Sequence, residues 1–300
     1  MRNACILASL LWVACGDDGD PAVDMAVAID AGPPPPPSEI GPEERPASVR
    51  LPGEYDSSGN YPIVMVLHGN GASGLIQGAY FGIPRLARDM EFIAILPDGT
   101  LSDDGTPYWN ATDVYIGRAV DPADDVAYLT GLIDEALATY AADPERVYLL
   151  GHSNGGFMSY RLACDASETF AGLVSLAGST WNDPADCGDP AEPVSVLQIH
   201  GTMDDSIRYE GGDFRDGAHP SARETVERFA DRSGCDDTWT DGEPVDFVTM
   251  VDGAETLVES RSTGCTEGTD YQLWTIVDGT HIPTLSDGAT QRALEWLLAR

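Results

Sequence analysis

The stretch Gly151-His152-Ser153-Asn154-Gly155 decides how this chain is read. It fits G-x-S-x-G. Before it runs Arg146-Val147-Tyr148-Leu149-Leu150, a short apolar run that predicts a strand. After it, Gly156 to Cys164 carries apolar residues at helical spacing. Strand, sharp turn and helix form the setting in which a serine is lifted above a sheet as a nucleophile. In a plain Gly-rich turn the same serine would only cap the helix. The strand and helix on either side favour the nucleophile.

Outward from this stretch, residues 47–51 predict an edge strand. Continuous apolar runs at 63–67, 92–96, 173–177, 194–199 and 271–277 predict strands buried on both faces. Helices are expected at 76–90, broken by Pro84, at 221–232 and at 287–299. Another is expected to start at Asp121-Pro122 and to continue through Val126, Leu129, Ile133, Ala136, Leu137 and Tyr140. Residues 245–251 and 256–261 read as a hairpin across Asp252-Gly253. Alternating strands and helices imply one α/β domain over 46–300, its mostly parallel sheet covered on both sides.

A serine nucleophile needs a base, and the base needs an acid to orient it. The strand ending at Ile199 leads into His200-Gly201-Thr202-Met203-Asp204-Asp205, which puts an aspartate, 204 or 205, just past a strand end. Of the five histidines, His281 alone follows a later strand and precedes the terminal helix. The expected oxyanion donors are the backbone N–H groups of Asn154 and of Asn70, in the loop after 63–67. That loop, Gly69-Asn70-Gly71-Ala72-Ser73-Gly74, also matches G-x-G-x-x-G, with Asp98 ending the next strand. This is the outline of a dinucleotide site. A Ser, Asp and His set needs no nucleotide, so no organic cofactor and no metal are implied.

The chain has 300 residues, and 16 cations against 50 acids give a net charge of −34. Every cation is arginine, which excludes P-loop, Schiff-base and kinase chemistry that requires lysine. So acidic a surface repels nucleic acid. Residues 1–14 read as a signal peptide too short to span a bilayer, with Cys15 a candidate for lipidation. Lipid at Cys15 would be the only membrane attachment. Residues 15–45 are Asp- and Pro-rich and read as a disordered linker. Four cysteines remain. Their even number suggests two disulfides, and proximity favours Cys164–Cys187 and Cys235–Cys265 among three possible pairings.

The motifs His68-Gly69, Pro97-Asp98-Gly99, Trp109-Asn110-Ala111, Asp124-Asp125-Val126, Gly151 to Gly156 and His200-Gly201-Thr202, with the four cysteines, carry a resemblance. Residues 47–300 resemble the polyhydroxybutyrate depolymerase and feruloyl esterase family of secreted α/β-hydrolases. The resemblance implies Ser153 as nucleophile, Asp204 as acid and His281 as base. It also implies an ester substrate, polymeric in some members, on polysaccharide or polyester. Two departures stand out. Ile207-Arg208-Tyr209 replaces the family's Val-Pro-Tyr, and the tryptophan usual beside the base is missing. Trp109 and Trp181 are the candidates for an aromatic platform instead. The expectation is a monomeric serine esterase, secreted or on the outer surface of a bacterium. The alternatives are a catalytically silent surface binding protein and a serine peptidase on the same fold.

Overall fold

The computed structural model describes residues 35–115, 118–120, 122–215 and 217–300. The signal peptide, Cys15, the linker through 34 and the cap expected at Asp121 lie outside the described residues. The strands are β1 (Glu39–Ile40), β2 (Ala47–Arg50), β3 (Tyr61–Leu67), β4 (Ile93–Leu96), β5 (Thr100–Leu101), β6 (Pro107–Tyr108) and β7 (Ala142–His152). There follow β8 (Gly172–Leu176), β9 (Ser195–Gly201), β10 (Gly212–Phe214), β11 (Gly217–His219), β12 (Thr240–Asp241), β13 (Thr256–Arg261) and β14 (Tyr271–Ile276). The α-helices are α1 (Gly74–Tyr80), α2 (Ile83–Asp89), α3 (Asp125–Thr139), α4 (Asn154–Asp165), α5 (Ala222–Arg232) and α6 (Ala289–Leu297).

Among the described residues, one sheet runs β1-β2-β4-β3-β7-β8-β9-β14-β13-β12. The stretch from β4 to β14 is parallel throughout, and antiparallel strands close both edges. Strand residues alternate between two cores. Ile63, Met65, Leu149, Leu173 and Val196 pack with α3, α4 and α5, whereas Val64, Val66, Leu150, Val174 and Leu197 pack with α2 and α6. This is the double burial that the continuous apolar runs required. The connection from β3 goes outward to β4, and the next returns across β3 to β7. Strand order therefore reverses between β3 and β7, and the crevice at their carboxyl ends is where open α/β sheets bind ligands.

Four expectations need correction. The linker is shorter than expected: Glu39–Ile40 pairs with β2, and Ile40 is buried. The 76–90 helix is two helices. The break is Gly82, in left-handed backbone at φ 67°, while Pro84 sits harmlessly in the first turn of α2. The third helix is capped by Asp124, whose carboxylate accepts the Ala127 N–H at 3.0 Å. Of residues 245–251 only Val245 joins the expected hairpin, exchanging backbone hydrogen bonds with Thr256 at 2.9 and 3.0 Å; beyond it the buried Glu255 carboxylate takes the N–H groups of Phe247 and Val248 at 3.1 and 3.0 Å. β13 pairs with Thr240–Asp241 instead. Both expected disulfides are present, Cys164–Cys187 and Cys235–Cys265.

Candidate active site

β7 ends at His152 and α4 begins at Asn154, leaving Ser153 alone to turn the chain. It does so at φ 52° and ψ −120°, a costly conformation for a residue with a Cβ. The glycines around it make the turn possible. A Cβ on Gly151 would strike the Gly155 carbonyl, and one on Gly155 would strike the Leu67 carbonyl at the end of β3. The spacing G-x-S-x-G is thus a steric requirement of packing α4 onto β3 and β7.

Asp204 follows β9 and His281 follows β14, so both reach Ser153 from neighbouring strand ends. His281 Nδ1 lies 2.7 Å from Asp204 Oδ2, and its Nε2 lies 2.9 Å from Ser153 Oγ. Burial works to raise the Asp204 pKa. Hydrogen bonds from His200 and His281, and their charge, outweigh it and hold the carboxyl well below the usual range. The ionised carboxylate accepts, so His281 Nδ1 carries the proton and Nε2 is free to accept from the serine hydroxyl. The other oxygen, Oδ1, accepts the Ser206 and Ile207 N–H groups at 2.9 and 2.8 Å. Asp205 takes no part in this set. Ile207, which stands where the resemblance expects valine, thus meets the acid through its backbone N–H.

Neighbouring residues hold the base loop in place. His152 Nε2–H donates to the His281 carbonyl at 3.0 Å, and Tyr80 Oη–H donates to the Pro283 carbonyl at 2.7 Å. Burial, then the charge of His281, pushes the His152 pKa down to about 4, so its ring stays neutral. Burial raises the Tyr80 phenol well above its ordinary value. The other end of α1 reaches the Asn70 loop, where Gln77 Oε1 accepts the Gly69 N–H at 3.2 Å. His68 braces the same loop from beneath: Nδ1–H donates to the Gly69 carbonyl at 2.8 Å and Nε2 accepts the Gly99 N–H at 2.8 Å. Asp98, the acid of the apparent dinucleotide motif, accepts the Gly74 N–H at 2.7 Å, where α1 begins.

A cavity of about 450 Å³ opens over Ser153 and His281. Asn70 lines it, and Asn154 opens α4, so its N–H has no acceptor within the helix. Neither tryptophan lines this cavity. Trp109 is fully buried beneath it, its indole N–H on the His68 carbonyl at 3.0 Å and its backbone gripped by the Asn154 amide at 2.7 and 3.0 Å. Trp181 is buried beside Cys187 and Arg228, outside the cavity. The aromatic wall is built from Tyr80, Tyr115 and Phe214, with Ile76 and Ile282 at the rim and Arg215 beside Phe214. Sequence reading missed these residues. Only Tyr80, four residues from Ile76 on one short helix, left a periodic trace.

Fold and geometry together are those of the α/β-hydrolase class, with Ser153, His281 and Asp204 in triad arrangement. The chain belongs to the esterase family: the family model described as "Putative esterase" matches residues 38–213. The chain is 30% identical over 187 residues to "Putative esterase NocK" of Nocardia uniformis, a match covering 59% of this chain and 53% of that protein. It is 26% identical over 261 residues to "Feruloyl esterase D" of Neurospora crassa, covering 83% and 78%. The chain thus spans about half the length of the first relative and over three quarters of the second. Among solved structures, "Acetyl xylan esterase from Aspergillus awamori" has the same fold at 17% identity, with a TM-score of 0.60 over 87% of this chain and 98% of that one.

Proposed function

We propose that the chain hydrolyses carboxylic esters with an aryl or similarly broad apolar acyl group, through an acyl-enzyme on Ser153. His281 takes the Ser153 proton as Oγ attacks the ester carbonyl, and Asp204 stabilises the imidazolium that forms. The N–H groups of Asn70 and Asn154 hold the oxyanion. His281 returns the proton to the leaving alcohol, and water then repeats the cycle to release the acid. The observation that carries the acyl preference is the wall of Tyr80, Tyr115 and Phe214 above Ser153. A feruloyl group or an aryl polyester unit suits that wall better than acetyl does. The relatives named for feruloyl esters support this direction.

The test is kcat/KM on p-nitrophenyl acetate, methyl ferulate, acetylated xylan and an aryl polyester film, with a dipeptide amide as control. The expected order puts the aryl acyl esters first and the amide at background. Turnover of the amide alone would make the chain a peptidase, and turnover of nothing would make it a silent binding protein. We also infer export, since two disulfides persist in oxidising surroundings. Intact mass of the mature protein tests the signal cut and lipid at Cys15.

A further inference from the structure

Among the described residues, those lining the catalytic cavity include no aspartate or glutamate, in a chain where 50 of 300 residues are acidic. They include one arginine, Arg215. We propose that Arg215 makes this enzyme select esters whose acyl group carries a carboxylate at its far end. The proposal rests on the esterase reading above and narrows its substrate class.

Three observations carry it. Arg215 stands at the tip of the β10–β11 hairpin, where Phe214 pairs with Gly217. Its backbone is left-handed at φ 57°, a conformation that costs a residue with a Cβ. Gly211, Gly212 and Gly217 lie beside it, yet the strained position is occupied by arginine. Strain of that kind, set at the mouth of a site, points to a use for the side chain.

Next, the cation has no competing partner among the described residues. Arg45, Arg85, Arg88, Arg161, Arg223, Arg228, Arg261 and Arg300 are all held in ion pairs with Asp or Glu. Arg215 is instead in contact with an aromatic ring, its guanidinium carbon 5.2 Å from the Phe214 centroid. A flat acyl group against Phe214 would bring its far end toward the guanidinium fork. That fork matches a carboxylate with two parallel hydrogen bonds.

The last observation is a second donor. Gln77 lines the same cavity and is buried, and its Nε2 has no hydrogen-bond partner among the described residues. The orientation of its amide is fixed, because Oε1 accepts the Gly69 N–H. A buried donor left open is costly unless a ligand or water meets it. The cavity therefore offers donors without carboxylates, the complement of an acceptor-rich, anionic substrate.

The test compares methyl 4-carboxycinnamate with methyl 4-nitrocinnamate, a neutral ester of nearly the same shape, at one fixed salt concentration. The reading is the ratio of their kcat/KM values. Arg215→Ala should lower that ratio about tenfold, the scale of one partly exposed charged contact. Arg215→Glu should lower it further, and Arg215→Lys should keep part of it. Arg292→Ala removes the same unit of net charge from the exposed face of α6 and should leave the ratio in place. A ratio unmoved by Arg215→Ala, or moved equally by Arg292→Ala, overturns the proposal while the esterase reading stands. A wild type that cleaves no ester of any kind would overturn both.

Discussion

The turn at Ser153 and the tip at Arg215 are both left-handed, non-glycine positions at the mouth of one cavity, but they were not equally visible in the sequence. The Ser153 turn is enforced from all sides. Gly151, Gly155 and Gly156 face carbonyls or side chains of β3, α4 and β8 at distances that admit no Cβ, so the pattern of glycines records the geometry. The Arg215 tip is exposed, and the crowded glycines near it, Gly211 and Gly217, face the backbone of segments 219–221 and 113–114 and not the main sheet, so they make no recognisable motif. Steric enclosure writes the geometry of the Ser153 turn into residue spacing. Recognition at an open rim leaves no spacing to read.

The largest effect that would break this contrast lies at the enclosed turn. Ser153→Ala should lower kcat by roughly 10⁴-fold or more while leaving the far-ultraviolet circular dichroism unchanged. A loss smaller than about a thousandfold would mean the turn is structural only.

A middle-sized effect concerns the clamp on the base loop. His152→Phe keeps a ring but removes the donor to the His281 carbonyl, so kcat should fall about tenfold with KM nearly constant. His152→Gln, which can still donate, should recover most of that loss. Equal loss in both variants would make His152 a packing residue only.

The last effect is on stability and not on rate, and it vanishes near neutral pH. The folded pKa of His152, about 4, lies below its ordinary value of 6.5. Burial lowers His68 and His219 in the same direction. A lowered histidine gives stability that is fully present above about pH 6.5 and is lost as pH falls toward the folded value. Asp204 acts with the same sign, but only below about pH 4. His152 alone accounts for about 3 kcal/mol by pH 4. The thermal midpoint should therefore drop between pH 7.5 and 5, with a shallower slope in His152→Gln. A flat midpoint would contradict the buried neutral histidine.

What the sequence made legible follows the same division. Ser153, Asp204 and His281 were found because each lies just past the end of an apolar run, and in an α/β sheet strand ends converge on one edge. Proximity picked the correct disulfide partners from three pairings. The tryptophans misled, since a Trp in a Gly- and Pro-flanked segment reads as exposed. Trp109 is instead locked under the cavity by Asn154, a partner 45 residues away. Tyr115 and Phe214 lie in elements of only 3 residues, too short for a periodicity to reveal them. The expected hairpin stops at Val245, which alone pairs with Thr256, because a single buried carboxylate, Glu255, took the next amides that a ladder would have used.

The central claim is that Ser153 becomes acylated. Incubation with a fluorophosphonate probe, followed by digestion and mass spectrometry, tests it most directly. One adduct per chain is expected, on the peptide containing Ser153, absent from Ser153→Ala and slowed in Asp204→Asn. Labelling of wild type at another serine, or no labelling of a protein that still cleaves esters, would contradict it.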